Sequence, residues 1–228
     1  MKRFAHRGYS EYYPENTLEA FVKAYERGFD GAETDVHLTK DGVLVLCHDE
    51  SIDRTSDGTG YIQDMTFEEL RQYNFSYHFD GYHLIPTLEE LLLFIKDKDF
   101  MLNIEIKTDH IQYKDIEQKV LDLVDNIGVK DQIIYSSFYL PSLLKVRELN
   151  DQAYIGYLME EDYDIKYDLL INHQVKAFHP RHDFLNHETM KTLKEHDIFI
   201  ATWTVKTIEE FNRLEDLGVD IAIMNKYI

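Results

Sequence analysis

The stretch Gly31-Ala-Glu-Thr-Asp-Val-His-Leu38, followed by the apolar run Val43–Cys47, decides the fold and points to the chemistry. We predict a strand over Asp30–Leu38, and alternate side chains of a strand share a face, so Glu33 and Asp35 point the same way. Neighbouring carboxylates in a strand lose hydration and repel each other, and a divalent cation with oxygen ligands removes both penalties. The alternative is an exposed edge strand with both acids in water.

Strand and helix patterns alternate outward from this stretch. The first strand is predicted over Lys2–His6 and the first helix over Thr17–Arg27, with Gly28 as its stop. Later predicted strands are Phe100–Lys107, Gln132–Ser137, Tyr154–Leu158, Val175–His179, Ile198–Thr204 and Val219–Met224, and later helices are Thr87–Asp97, Tyr113–Asn126, Leu140–Leu149, Tyr163–Asn172, Asn186–His196 and Thr207–Leu217. Helices between strands imply parallel crossovers, in an open doubly wound sheet or a closed barrel. Periodicity alone does not choose between them.

One segment breaks the alternation, from about Asp49 to Pro86. It is rich in turn residues and aromatics, with a short helix predicted over Thr66–Tyr73. A long irregular stretch inside a compact domain is usually functional or a small subdomain. We therefore predict one domain over 1–228, with an insertion at about 49–86 over one end of the barrel, a length that suits a single (β/α)₈ unit.

Composition narrows the class of protein. The formal net charge is −19, so the long-range field would repel nucleic acid and anionic membrane surfaces, although a bound cation can reverse the sign of a site. A single cysteine, Cys47, excludes an internal disulfide framework. We find no apolar run long enough for a membrane span and no signal peptide, and we therefore expect a cytoplasmic protein without stable membrane insertion. The sequence does not indicate the oligomeric state.

A second polar strand face lies in Leu102–Lys107, with Asn103, Glu105 and Lys107 on one side and apolar residues on the other. Buried barrel strands tend to be apolar on both faces, so a polar face near a strand end favours a site lining. A half-solvated strand carrying a Glu–Lys pair explains the pattern equally well.

Two histidines end apolar runs. His6 stands beside Arg7 and Gly8 where the first strand ends, an arrangement that suits proton transfer next to an anion. His48 ends the Val43–Cys47 run in the same way. Seven further histidines favour a surface or helix-face position, namely His78, His83, His110, His173, His182, His187 and His196. His179 differs, because it also ends a predicted strand.

The only tryptophan, Trp203, lies near the end of a predicted strand, in Ala201–Val205. Core packing is its default explanation. A wall that stacks against a polyol or an alcohol is the more specific one.

Eight short motifs together resemble the glycerophosphodiester phosphodiesterase family. In chain order they are His6–Gly8, Pro14–Thr17, Glu33–Asp35, His48–Asp49, Arg54–Gly60, Glu105–Lys107, Ser137–Phe138 and Trp203–Val205. The resemblance covers nearly the whole chain and implies a TIM barrel with an insertion after the second strand. It also implies hydrolysis of glycerophosphodiesters to glycerol 3-phosphate and an alcohol.

The resemblance further implies a role for each candidate site residue. These are ligands of one divalent cation, Mg²⁺ or Ca²⁺ (Glu33, Asp35, Glu105), an acid–base pair (His6, His48), phosphate-binding cations (Arg7, Lys107) and a wall on the glycerol side (Trp203). Two positions depart from the family's usual pattern, which continues Trp-Thr-Val with Asn and ends the last strand in Thr-Asp before Pro. Here Lys206 and Met224–Tyr227 stand in those places.

Two other functions compete with this one. The same barrel and metal could act on a lysophospholipid, with the aromatic stretch Tyr73–Tyr82 as an apolar rim. A barrel that only binds glycerol-phosphate compounds is the alternative from another class, since fold does not imply activity. The presence of both histidines and all three carboxylates argues against it.

Overall fold

The centre of the molecule is a closed barrel of parallel strands. The structure, a computed structural model, describes residues 1–76, 78–160, 167–173 and 175–228. Its strands are β1 Lys2–His6, β2 Gly31–Leu38, β3 Leu44–Leu46, β4 Met101–Ile106, β5 Ile133–Ser137, β6 Ile155–Met159, β7 Ala177–Pro180, β8 Phe199–Val205 and β9 Ile221–Met224. The order β1-β9-β8-β7-β6-β5-β4-β2 closes through pairing of β1 with β2. The chain is therefore a TIM barrel, and the open sheet is excluded.

Strand β3 is the exception, because it pairs antiparallel with β2, outside the barrel. The run Val43–Cys47 thus belongs to the second unit without adding a strand to the barrel, and it leads into the insertion. The insertion has a small apolar core of its own, formed by Val45, Cys47, Ile52, Ile62, Leu70, Phe75 and Ile85. Its boundaries at about 49–86, and the single-domain organisation, stay predictions.

Helices follow the barrel strands and cover their outer faces, except the short α2, which belongs to the insertion. They are α1 Leu18–Arg27, α2 Phe67–Leu70, α3 Leu88–Ile95, α4 Ile116–Ile127, α5 Leu140–Leu149, α6 Tyr167–Asn172, α7 His187–Glu195 and α8 Ile208–Leu217. Helix α1 begins where the Thr17 hydroxyl accepts a hydrogen bond from the Ala20 amide, and it ends at Gly28, whose φ is 95°. Of the predicted helix Tyr163–Asn172, residues 163–166 lie outside the described residues.

Helix bounds otherwise agree with the predictions to within a few residues, because caps and periodicity mark them well. The helix predicted over Thr66–Tyr73 is shorter than expected, as α2 spans only Phe67–Leu70. Within the described ranges, no helix has both the length and the apolar composition that a bilayer crossing requires.

The barrel interior is divided along its axis. Its amino half is filled by the apolar side chains Phe4, Ile134, Ala201, Ile221 and Ile223, of which Ile223 borders the carboxyl half. Its carboxyl half holds buried polar and charged side chains, among them Glu33, Asp35, Asn103, Glu105 and Lys107. Parallel strands bring all their carboxyl ends to this one face, where TIM barrels carry their sites.

Candidate active site

A cavity of about 520 Å³ opens at the carboxyl ends of the barrel strands. Seven of the eight residues singled out from the sequence line it, namely His6, Arg7, Glu33, His48, Glu105, Lys107 and Trp203. The eighth, Asp35, is buried directly below and is the register partner of Glu105. A larger hollow, of about 750 Å³, lies near the amino ends of the strands and contains none of these residues.

Three carboxylates converge at the floor of this cavity. One oxygen each from Glu33, Asp35 and Glu105 lies within 4.8 Å of the others, and all three side chains are buried. Pairing of β2 with β4 sets Asp35 beside Glu105, and strand parity puts Glu33 on the same face. The edge-strand and half-solvated alternatives are therefore wrong, because both strands are buried on both faces.

The three carboxyl groups of this cluster have pKa values that are shifted in different directions. Burial, with repulsion from Asp35 and Glu105, raises the pKa of Glu33 well above its usual range. Burial also raises the pKa of Glu105, although Lys107 opposes the shift. Burial alone would raise the pKa of Asp35 too, but the charges of Arg7, His48 and Lys107 and the hydrogen bond from Asn16 together outweigh it, and the pKa falls to about 2.

The donor set fits a hard divalent cation. Among the described residues, Asp35 Oδ1 is buried without a hydrogen-bond partner, although its other oxygen accepts from Asn16 Nδ2 at 2.9 Å. A buried carboxylate oxygen without a donor is costly, and a cation held by three carboxylates would satisfy it. The three residues could therefore bind a metal ion.

Short-range contacts fix the carboxylates in place. Asn16 has a positive φ of 55°, and its side chain also accepts from Thr34 Oγ1 at 2.8 Å, so it is held at both ends. The Arg7 amide, in a residue with φ 54°, donates to Glu33 Oε2 at 3.0 Å. Lys107 Nζ lies 3.0 Å from Glu105 Oε1. These contacts preorganise the oxygens, as a metal site requires.

The two histidines are held by different partners. His6 Nδ1 donates to Asn225 Oδ1 at 2.7 Å, and its Nε2 lies 3.9 Å from Glu33 Oε2. Burial, followed by the charge of Arg7, lowers the pKa of His6 to about 4. His48 Nδ1 donates to Asp49 Oδ1 at 2.6 Å. Because each Nδ1 is engaged, each Nε2 is the nitrogen available for proton transfer.

Two cations stand beside the carboxylates. Arg7 Nε lies 3.6 Å from Asp35 Oδ2, and the Arg7 NH1 group donates to Glu15 Oε1 at 3.1 Å. Burial opposes the charge of Lys107, but Glu105 and Asp35 outweigh it and raise the Lys107 pKa. Both side chains therefore stay protonated and can bind an anion next to the carboxylates.

Comparison with known proteins decides the family. The model of the glycerophosphoryl diester phosphodiesterase family matches residues 6–227. The chain belongs to this family. It is 37% identical to a protein of Caldanaerobacter subterraneus named glycerophosphodiester phosphodiesterase, over 95% of this chain and 90% of that one. Family membership confirms the predicted enzyme class, a phosphodiesterase, and argues against a barrel that only binds.

Solved structures of the family share the barrel. The glycerophosphodiester phosphodiesterase of Thermotoga maritima is 30% identical and superposes with a TM-score of 0.83, over 99% of this chain and 95% of that one. A phosphodiesterase of Oleispira antarctica, solved with sn-glycerol-3-phosphate, is 24% identical, with a TM-score of 0.90 over 99% of this chain and 93% of that one. At that identity, the second likeness shows the fold alone.

Trp203 lines the cavity at the carboxyl ends of the strands and is partly exposed. Its ring meets Phe138 edge to face, with the centroids 5.7 Å apart, and its Nε1 donates to the His179 carbonyl at 2.9 Å. The tryptophan therefore both packs against the apolar cluster of the barrel interior and lines the cavity, and its role as a glycerol-side wall stays a prediction. The imidazole of His179 is fully buried and does not line the cavity, and burial lowers its pKa to about 3.

Sequence reasoning gave no role to Asn225, which holds His6, or to His37, whose Nε2 donates to the His48 carbonyl at 3.2 Å. Asn225 directly follows the last barrel strand, and that position could have marked it as a site residue. It lies in one of the segments that depart from the family's usual pattern. His37 has the same strand parity as Glu33 and Asp35, so parity could have marked it, and its Nδ1 lies 2.8 Å from the Tyr113 hydroxyl.

Proposed function

We propose that this protein hydrolyses glycerophosphodiesters to glycerol 3-phosphate and an alcohol, with one divalent cation, Mg²⁺ or Ca²⁺, bound by Glu33, Asp35 and Glu105. The observation that carries the proposal is the convergence of three buried carboxylates beside two cations and two histidines in one cavity. When bound, the cation would polarise the phosphoryl group and offset the negative charge of the site. The named activity of the 37% identical relative supports the substrate class.

Arg7 and Lys107 would hold the phosphate. Both remain protonated because carboxylates face them, and both line the cavity. An arginine fork can donate two hydrogen bonds to phosphate oxygens, whereas lysine acts as a compact point charge. Together they would hold the phosphate in the cavity that both histidines line.

His6 would act as the base. Its Nδ1 proton is engaged by Asn225, and with a pKa lowered to about 4 by burial and by Arg7, its Nε2 is free of a proton near neutral pH. The nucleophile gives its proton to this nitrogen as its oxygen bonds to phosphorus. The nucleophile is either water or the neighbouring glycerol hydroxyl; in the second case a cyclic phosphate forms as the alcohol leaves, and water then opens it to glycerol 3-phosphate.

His48 would act as the acid. Asp49 fixes its ring through Nδ1, so that Nε2 of the protonated ring can donate to the leaving oxygen. The bond from phosphorus to the alcohol breaks as that oxygen takes the proton. Each such proton transfer typically contributes about 10²–10⁴-fold in rate. Trp203 and Phe138 would form the wall beside the glycerol.

A substrate panel tests the proposal. Purified protein is assayed on glycerophosphocholine, glycerophosphoethanolamine, glycerophosphoglycerol and lysophosphatidylcholine, after chelation and after addition of Mg²⁺ or Ca²⁺. We expect glycerol 3-phosphate from the glycerophosphodiesters only when a cation is present. Full activity in excess chelator would contradict the role of the cation. Turnover of lysophosphatidylcholine alone would replace the substrate class with lysophospholipids.

A further inference from the structure

Arg54 lies in the insertion and does not line the cavity, but its guanidinium contacts two carboxylates next to the site, Asp49 and Glu15. Its Nε and NH2 donate to the two oxygens of Asp49, at 2.7 and 3.0 Å. Its NH1 and NH2 donate to the two oxygens of Glu15, at 2.9 and 2.8 Å. One guanidinium therefore binds two carboxylates, each in a two-pronged contact.

Each of these carboxylates holds a different functional side chain. Asp49 accepts from His48 Nδ1 at 2.6 Å, and Glu15 accepts from the Arg7 NH1 group at 3.1 Å. The result is a continuous chain of charged contacts from His48 through Asp49, Arg54 and Glu15 to Arg7. Both β1 and β3 pair with β2, but the pairing ends at His6 and Leu46, so Arg7 and His48 lie beyond the part that strand register fixes.

We propose that Arg54 is a positioning residue, which sets the separation of the phosphate-binding Arg7 from the proton-donating His48. The inference rests on the proposed function, which assigns those two roles. Arginine suits the task because its planar fork offers donors in fixed directions, and a lysine ammonium could not make both two-pronged contacts at once.

The contacts of Arg54 are partly exposed to solvent. The Arg54 side chain is 40% exposed, with Glu15 and Asp49 at 22% and 28%. Isolated exposed ion pairs contribute little to stability, but a bidentate arginine–carboxylate network can contribute more. The kinetic constants and the melting temperature of each variant therefore have to be measured together. Misplacement of a reacting group by about 1 Å can cost about 10²-fold in rate.

The two arms of the bridge predict different kinetic losses. Asp49→Asn weakens the hold on His48 and should lower kcat, because proton donation is part of the chemical step. Glu15→Gln weakens the hold on Arg7 and should mainly raise KM. Arg54→Ala removes both supports, so it should change both constants.

The insertion offers a matched control. Arg71 NH2 donates to Glu90 at 2.7 and 2.6 Å, and this pair lies away from the cavity. Arg71→Ala deletes an equally tight arginine–glutamate contact from the same segment. It should leave kcat and KM within about two-fold of the parent, as expected for a surface pair.

The test measures kcat and KM on the best substrate of the panel, with circular dichroism and a melting curve for each variant. We expect Arg54→Ala to lower kcat/KM about 10- to 100-fold at an unchanged fold, Arg54→Lys to lose less, and added guanidinium to restore part of the loss in Arg54→Ala. Asp49→Asn and Glu15→Gln should have less effect in the Arg54→Ala background than alone, because the bridge is already broken.

A loss in Arg54→Ala no larger than in Arg71→Ala would overturn the inference, as would strictly additive effects of the three substitutions. If Arg54→Ala does not fold, Arg54→Lys decides, and parental kinetics there would also overturn it. These outcomes differ from failure of the proposed function, in which the parent protein itself would not cleave glycerophosphodiesters.

Discussion

The two ends of the barrel interior are built from the same strands but differ in composition. The amino end is packed with apolar side chains, and the carboxyl end holds buried polar and charged ones. On β1, Phe4 and His6 are two residues apart and share a face. Phe4 packs in the apolar amino half, and His6 lines the polar cavity. On β5, Ile134 lies in the same apolar layer, whereas Ser136, two residues on, is a buried side chain for which the described residues offer no hydrogen-bond partner. Along each of these strands, a step of two residues leads from an apolar packed position to a polar position of the carboxyl half.

The difference teaches where stability and activity come from. Each large apolar side chain buried in the amino half contributes about 1.5–3 kcal/mol relative to its exposed state. The carboxyl half opposes folding, because burial and mutual repulsion raise the pKa values of Glu33 and Glu105. The amino half therefore offsets the cost of a site that a cation would complete.

The largest effect should follow from removing a histidine at the carboxyl end. We expect His6→Ala to lower kcat about 10²–10⁴-fold, the usual contribution of one proton transfer. Its melting temperature should stay close to the parent's, because His6 packs in the polar half. The matched control is His187→Ala, an exposed position at the start of α7. Steady-state kinetics measure this loss. Parental activity in His6→Ala would contradict the assignment of catalysis to the carboxyl end.

A somewhat smaller effect, and one on stability rather than on rate, should follow at the amino end. Ile221 is 1% exposed in the apolar layer, and Ile221→Ala should lower the free energy of unfolding by about 2–5 kcal/mol. Denaturant unfolding measures this loss. Activity per folded molecule should remain near the parental value. If kcat fell instead with an unchanged stability, the amino half would be part of the catalytic machinery.

The smallest effect is the pH dependence of stability, which tests the acidic cluster of the carboxyl half without any substitution. In the metal-free protein the raised pKa values of Glu33 and Glu105 favour folding at low pH, and that contribution is lost as the pH rises through them. The lowered pKa of Asp35 adds no slope above pH 5, since its carboxyl is ionised there in both states.

A cation binds the ionised carboxylates and should offset this loss. Added Mg²⁺ or Ca²⁺ should therefore raise the melting temperature by a few degrees more at pH 8 than at pH 5. Thermal melts at both pH values, with and without chelator, provide the measurement. A cation effect that is equal at both, or larger at pH 5, contradicts the assigned ionisation.

Strand parity and strand order predicted much of this site from the sequence. Strand parity predicted that Glu33 and Asp35 share a face, and the resemblance to the family added Glu105 as the third ligand. The contacts that hold the reacting groups could not be predicted in this way. Asn225 and His6 are 219 positions apart in the sequence, and they come into contact only because β1 pairs with β9 in the closed barrel. Arg54 lies in an irregular insertion, where no periodicity indicates the direction of a side chain.

The most direct test of the central claim is calorimetric titration of Mg²⁺ and Ca²⁺ into the metal-free protein and into Glu33→Gln. The neutral isostere removes a carboxylate with a raised pKa, so the variant should fold at least as well as the parent. Glu209→Gln, at an exposed position, is the control. We expect one cation per chain in the parent and the control, and strongly weakened binding in Glu33→Gln. Absence of binding to the parent, or equal affinity in Glu33→Gln, would contradict a cation held by Glu33, Asp35 and Glu105.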